Sequence, residues 1–175
     1  MEMTHKNQEE ITRKGNPRKP QGEEGEQMLQ RMNESHAAVT QWALGFLDFG
    51  EEDQALDIGC GGKMEVLEAS VEHLPFEEGS FDKIITVESF YFWPDPAENL
   101  KEVLRILKKG GVFLLIADIY QKEGLRESVL ENIKQYHLFN PTKEEFRRLF
   151  EQAGFAETRI HTKEGEDWIC VEGKR

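Results

Sequence analysis

The residues best suited to chemistry stand in one short run, Asp57-Ile58-Gly59-Cys60-Gly61-Gly62, at the end of the apolar stretch that begins Ala55-Leu56. A carboxylate followed by closely spaced glycines suits ligand binding more than bond breaking. Glycine takes turn conformations closed to other residues, and it lets a ligand lie against bare backbone. A nicotinamide fingerprint would need a third, spaced glycine. Met64 holds that place, and no phosphate-loop lysine-serine pair follows, so a nucleotide-dependent dehydrogenase is only a distant reading. His5, His36, His73, His137 and His161 are scattered without ligand spacing, and Cys60 and Cys170 make neither a disulfide framework nor a metal-type pair. Small size in the turn accounts for Cys60 better than reactivity does.

The elements that must position this run follow from periodicity. Met28, Leu29 and Met32 form one helical stripe, and Val39, Trp42, Ala43, Phe46 and Leu47 another, with Ser35 as a cap between them and Gly50 as a stop. Trp42 and Phe46 are expected to be buried. Ala55–Ile58 reads as a first strand, and Met64–Ala69 as a candidate second. Phe81–Val87 reads as a strand whose continuous Ile84, Ile85 and Val87 suit a central place in a parallel sheet covered on both faces. Asp95-Pro96 opens a helix with the face Leu100, Val103, Leu104 and Leu107. Gly110-Gly111 should end it and start a strand from Val112 to Ile119. A helix through Val129, Ile133 and Tyr136 follows, then one opened by the capping box Thr142 and Glu145 and closed at Gly154. Ala156–Thr162 and Trp168–Val171 read as an antiparallel pair joined by a four-residue-class turn at Lys163-Glu164-Gly165-Glu166.

The 175 residues suit one domain over residues 21–175, preceded by a flexible arm over residues 1–20. A net charge of -12 argues against a nucleic-acid binder, since phosphate contacts need a basic surface. Arg13, Lys14, Arg18 and Lys19 are the best local exception, and solvated arm residues explain them more simply. No apolar run approaches the roughly 20 residues that span a bilayer. No membrane partner and a cytoplasmic location are therefore the expectations.

Four segments in order carry a resemblance. Leu56–Gly62 resembles the first motif of class I S-adenosylmethionine-dependent methyltransferases. Ala69–Phe76 resembles their segment after the third strand, Ser80–Ile85 the start of their fourth, and Leu104–Gly111 the helix-turn into their fifth. The resemblance implies a three-layer, Rossmann-like α/β fold, mostly parallel, with a C-terminal antiparallel hairpin, binding S-adenosylmethionine. Asp57 would organise the glycine turn, with Gly59, Cys60 and Gly61 against the methionine end of the cofactor and Ser70 and Val71 at its adenine edge. Glu88 to Trp93 would wall the site, with Glu88 the one candidate general base. Tyr91, Phe92 and Trp93 equally suit packing beneath the following helix. Asn33 and His36 would cover the site in this family, although a structural histidine is the simpler reading. Gly59→Val is expected to abolish cofactor binding and leave the domain folded.

The resemblance breaks at Lys63-Met64-Glu65. There the family inserts a helix, a second strand and another helix, and that strand ends in the acid that grips the ribose hydroxyls. Three residues cannot replace a unit that takes about 30. A contiguous chain is thus expected to lack one strand-helix unit and to bind the cofactor weakly or not at all, unless Glu65 or Glu68 substitutes. Two functions follow: methyl transfer to a small-molecule acceptor, or a non-catalytic binding module that has lost part of the cofactor site. In the second, an exposed sheet edge would favour a homodimer.

Overall fold

The computed structural model describes residues 22–59 and 68–175. They divide into two compact units, one ending at Ala38 and the other comprising Val39–Arg175. The packing that follows is that of the second unit.

Helix α1 (Gly22–Leu44) runs unbroken through Ser35. Serine is tolerated inside a helix, and no proline interrupts this stretch, so the expected cap between two helices is not needed. The helix ends at Leu44, before Gly45, rather than at Gly50. Its last turns, with Leu47 just past its end, place Val39, Ala43 and Leu47 against one face of the sheet, with Leu114, Ile116 and Cys170. That row of i, i+4 and i+8 forms the inner face. Trp42 and Phe46 lie to its side. Trp42 is half-buried against Trp168 at 6.0 Å, and Phe46 is 39% exposed and stacked on the His161 ring. The expectation that both are buried fails for Phe46 and is met only in part by Trp42.

Among the described residues the sheet has five strands in the order β1-β2-β3-β5-β4. They are β1 (Ala55–Ile58), β2 (Phe81–Val87), β3 (Leu107–Ala117), β4 (Glu157–Thr162) and β5 (Ile169–Lys174). The first three are parallel, and β5 and β4 add antiparallel at one edge. The β2 strand is interior as expected, but β3 takes the middle place because β5 and β4 both add on its far side. Residues on β3 alternate between faces, as a strand requires. Leu114 and Ile116 meet α1, while Phe113, Leu115 and Ala117 join the opposite core with α2 (Pro96–Ile106) and α4 (Lys143–Ala153). A fourth helix, α3 (Glu127–Tyr136), lies between β3 and α4 in the chain. The fold is therefore a three-layer α/β arrangement, mostly parallel, with a C-terminal antiparallel hairpin.

Local signals placed most element ends. Asp95 accepts from the Glu98 N–H and Pro96 opens α2, while Thr142 and Glu145 exchange both capping-box hydrogen bonds at α4. Gly110-Gly111 does not start β3 but lies inside it. Gly110 has φ +79°, and the pairing with β2 shifts register between Phe81 and Lys83. The glycines form a bulge because a Cβ on Gly111 would stand 2.9 Å from the Asp82 carbonyl oxygen. The hairpin loop spans residues 163–168, longer than expected. Trp168 stays in that loop beneath Lys163, whose Nζ lies 4.4 Å from the ring centre. Glu68 and Ala69 belong to no strand, and residues 64–67 of the candidate second strand lie outside the described residues.

Candidate functional site

The carboxyl ends of β1, β2 and β3 lie side by side, the place where open α/β sheets bind ligands. The chain leaves β1 at Ile58 and turns at Gly59, whose φ of +92° is closed to ordinary side chains. A Cβ on Gly59 would also stand 2.9 Å from the Ser89 Cβ. The Thr86 hydroxyl donates to the Ile58 carbonyl at 2.9 Å. One residue before, Asp57 carries a buried Oδ1 with no hydrogen-bond partner among the described residues. Burial raises its pKa above the ordinary carboxylate value. A buried acceptor left without a donor at a strand end is what a cationic or N–H-bearing ligand would complete.

The ends of β2 and β3 hold a second group. Glu88 follows β2 with φ 55°, and its N–H donates to the Ile116 carbonyl at 3.0 Å. Its Oε1 accepts from the N–H of Asp118, the residue just after β3. The Tyr91 hydroxyl lies 3.2 Å from Asp118 Oδ1 and accepts from the Ile119 N–H at 3.2 Å. Burial, reinforced by the negative charge of Asp118, pushes the Glu88 pKa well above its usual range. Burial and the two carboxylates likewise push up the Tyr91 phenol, so it stays a neutral donor.

Comparison with known proteins agrees with this geometry. A family profile described as a methyltransferase domain matches residues 47–115. A 2-methyl-6-phytyl-1,4-hydroquinone methyltransferase of Oryza sativa subsp. japonica is 32% identical over 97 residues, 55% of this chain and 28% of its own length. A sarcosine/dimethylglycine N-methyltransferase of Halorhodospira halochloris is 32% identical over 101 residues, 57% of this chain and 36% of its own. The chain thus spans about a third or less of these two relatives. A solved S-adenosylmethionine-dependent methyltransferase of Thermotoga maritima superposes with a TM-score of 0.68 at 22% identity, covering 84% of this chain and 94% of that one. Over residues 47–115 the chain is similar to methyltransferase domains, and its fold is that of the solved S-adenosylmethionine-dependent methyltransferase.

Within this fold the residues expected from sequence divide into three groups. Asp57, Gly59 and Glu88 all stand at neighbouring strand ends. Ser70 and Val71 lie on a segment tied to α2, whose Glu102 accepts from the Leu74 N–H and whose Arg105 donates to the Leu74 and Phe76 carbonyls. The exposed Ser70 hydroxyl is engaged with Glu72 at 3.0 Å, and Val71 packs half-buried on the core. Cys60 and Gly61 lie outside the described residues. Tyr91 and Trp93 are buried in the main core and Phe92 packs against it, so the aromatic run is structural while the Tyr91 hydroxyl still faces Asp118. Sequence reasoning missed Asp118 and Thr86, and held Ser89 only as part of the Glu88 to Trp93 wall. Asp118 was hidden by an expected strand reaching Ile119. Ending that strand at Ala117 puts Asp118 at the carboxyl end, where fold rules look for function.

The buried Glu88 also predicts a pH effect on stability. A carboxyl whose folded pKa exceeds its unfolded value, here 4.5, keeps its proton more firmly when folded. Its contribution is fully present below that value and is lost as pH rises towards the folded pKa. Glu88→Gln cannot ionise and keeps the acceptor oxygen for the Asp118 N–H. It should melt higher than wild type at about pH 8, with the gap closing towards about pH 4. Melting curves across pH check this, and a Glu88→Gln protein less stable than wild type at every pH would refute it.

Proposed function

We propose that this domain transfers a methyl group from S-adenosylmethionine to a small-molecule acceptor. The observation that carries the reading is the buried Asp57 carboxyl oxygen, without a hydrogen-bond partner among the described residues, beside the Gly59 turn and one strand away from the Glu88–Asp118 pair. When bound, S-adenosylmethionine supplies a methyl group already activated on sulfur. The residues here fit it: Asp57 and the glycine turn would hold it, and Ser70 and Val71 would flank its adenine. The protein's own work is then to bring donor and acceptor together and to exclude water. The buried Tyr91 and Trp93 make one wall at the ends of β2 and β3 dry. Glu88 is the one candidate to take the proton that an acceptor hydroxyl or amine gives up, and it can do so only where it is ionised, since burial favours its protonated form. Among the described residues no helix is long and apolar enough to cross a membrane, and a cytoplasmic enzyme remains our proposal.

The reading predicts measurable binding of S-adenosylmethionine and S-adenosylhomocysteine by calorimetric titration. The affinity should be modest because the ribose-gripping acid of the family has no matched position. Asp57→Ala should weaken binding on the order of tenfold or more, the scale for losing a hydrogen bond to a charged group. Transfer of labelled methyl should then be measured with the acceptor classes named for the relatives, a hydroquinone and sarcosine. Wild-type protein that binds neither form of the cofactor would overturn the reading.

A further inference from the structure

We infer that Thr86 and Ser89 are positioning residues, which fix the cofactor turn through a one-way hydrogen-bond chain from the Trp93 indole to the Ile58 carbonyl. The inference rests on the reading that the cofactor lies at the Gly59 turn.

The chain begins at Trp93, a residue of the main core. Its Nε1–H donates to the Ser89 hydroxyl at 3.3 Å. The Ser89 and Thr86 hydroxyls are in direct contact. Thr86 donates to the Ile58 carbonyl at 2.9 Å, and Ser89 also reaches that oxygen at 3.3 Å. Its direction is set by its ends. An indole N–H can only donate and a carbonyl can only accept, so each hydroxyl must accept from the Trp93 side and donate towards Ile58. Hydrogen bonds aligned head to tail polarise and strengthen one another.

The placement gives this chain its use. Ile58 is the last residue of β1, so its carbonyl stands where the strand ladder stops and the glycine turn begins. The Thr86 hydroxyl on this carbonyl, itself held by Ser89, fixes the plane of the Ile58–Gly59 peptide, and with it the direction of the Gly59 N–H. Thr86 is fully buried, and Trp93 is 7% exposed, so the anchor is rigid. Ser89 also packs its Cβ against Gly59, closing the space behind the turn. The device joins the cofactor turn to residues 88–93, the segment that walls the acceptor side. An error in one would be felt by the other.

Thr86→Val tests this, because it keeps the shape and removes only the donor. It should weaken S-adenosylmethionine binding on the order of tenfold, with Ser89→Ala giving a similar loss and Thr86→Ser restoring affinity. The loss should appear in the KM for the cofactor, while kcat at saturating cofactor changes less than about twofold. A merely structural role would lower Tm without that split. Normal affinity in folded Thr86→Val, or an equal loss in Thr86→Ser, would overturn the inference. Hydrogen exchange of the unliganded protein separates the two readings. If wild type binds no cofactor, the methyltransferase reading falls, and the chain is judged by exchange at residues 55–59. Faster exchange in Thr86→Val supports it, and unchanged exchange overturns it.

Discussion

Gly59→Val should destabilise the fold by about 2–6 kcal/mol and abolish cofactor binding. Two costs add. Valine is forced into φ +92°, a conformation that costs a residue with a Cβ about 1–3 kcal/mol. Its Cβ would also stand 2.9 Å from the Ser89 Cβ, an overpacking cost of about 1–3 kcal/mol. Their sum, about 2–6 kcal/mol, is a large part of the 5–15 kcal/mol that holds a typical domain together. From sequence alone the added side chain is expected to meet the ligand and spare the fold. The structure corrects this: the glycine is required by the protein's own Ser89 before any ligand arrives. Urea unfolding of Gly59→Ala, Ser89→Gly and the double variant divides the two costs. Ser89→Gly should relieve the collision and leave the backbone strain, so the double variant should be more stable than the single costs add up to. Gly59→Val with wild-type stability would show that the turn re-forms with another φ.

The fold was legible where local chemistry decides it. The ends of α4 came from Thr142, Glu145 and Gly154, and the start of α2 from Asp95-Pro96, because caps and proline act within one turn. The limits of β1 and β2 matched the apolar runs that fill a doubly covered sheet. What sequence could not show depends on distant partners. The start of β3 was set too late because Gly110-Gly111 looks like a terminator, and only pairing with β2 makes it a bulge. Phe46 reads as core from its helical spacing, yet the innermost row is Val39, Ala43 and Leu47, chosen by where β3 and β5 lie. The site divides in the same way. Asp57, Gly59 and Glu88 stand in a local motif or just past a strand. Thr86, Ser89 and Asp118 acquire meaning only when β1, β2 and β3 are laid side by side.

Phe150→Ala should cost about 3–5 kcal/mol, and the same change combined with Gly173→Ala should cost less than the two alone would sum to. Phe150 is fully buried on α4, its ring stacked on Phe113 at 5.7 Å and against Phe155 at 4.9 Å. Gly173 of β5 lies beneath this group. A Cβ there would approach Phe150 Cδ1 to 2.7 Å and Phe155 Cδ1 to 2.6 Å. Alone, Gly173→Ala therefore overpacks the core, at about 1–3 kcal/mol. Removing the Phe150 ring clears one obstacle and opens space into which Phe155 can turn away from the other, so the new methyl partly fills the cavity. A coupling of about 1–2 kcal/mol should appear in a double-mutant cycle by urea unfolding. Additivity within about 0.5 kcal/mol would mean that Phe155, not Phe150, sets the limit at Gly173. Gly173 pairs with Phe113, upstream of the carboxyl end of β3. Loss of stability here should therefore leave cofactor affinity of the folded fraction unchanged. That is the opposite of Gly59→Val, where fold and binding fail at one position.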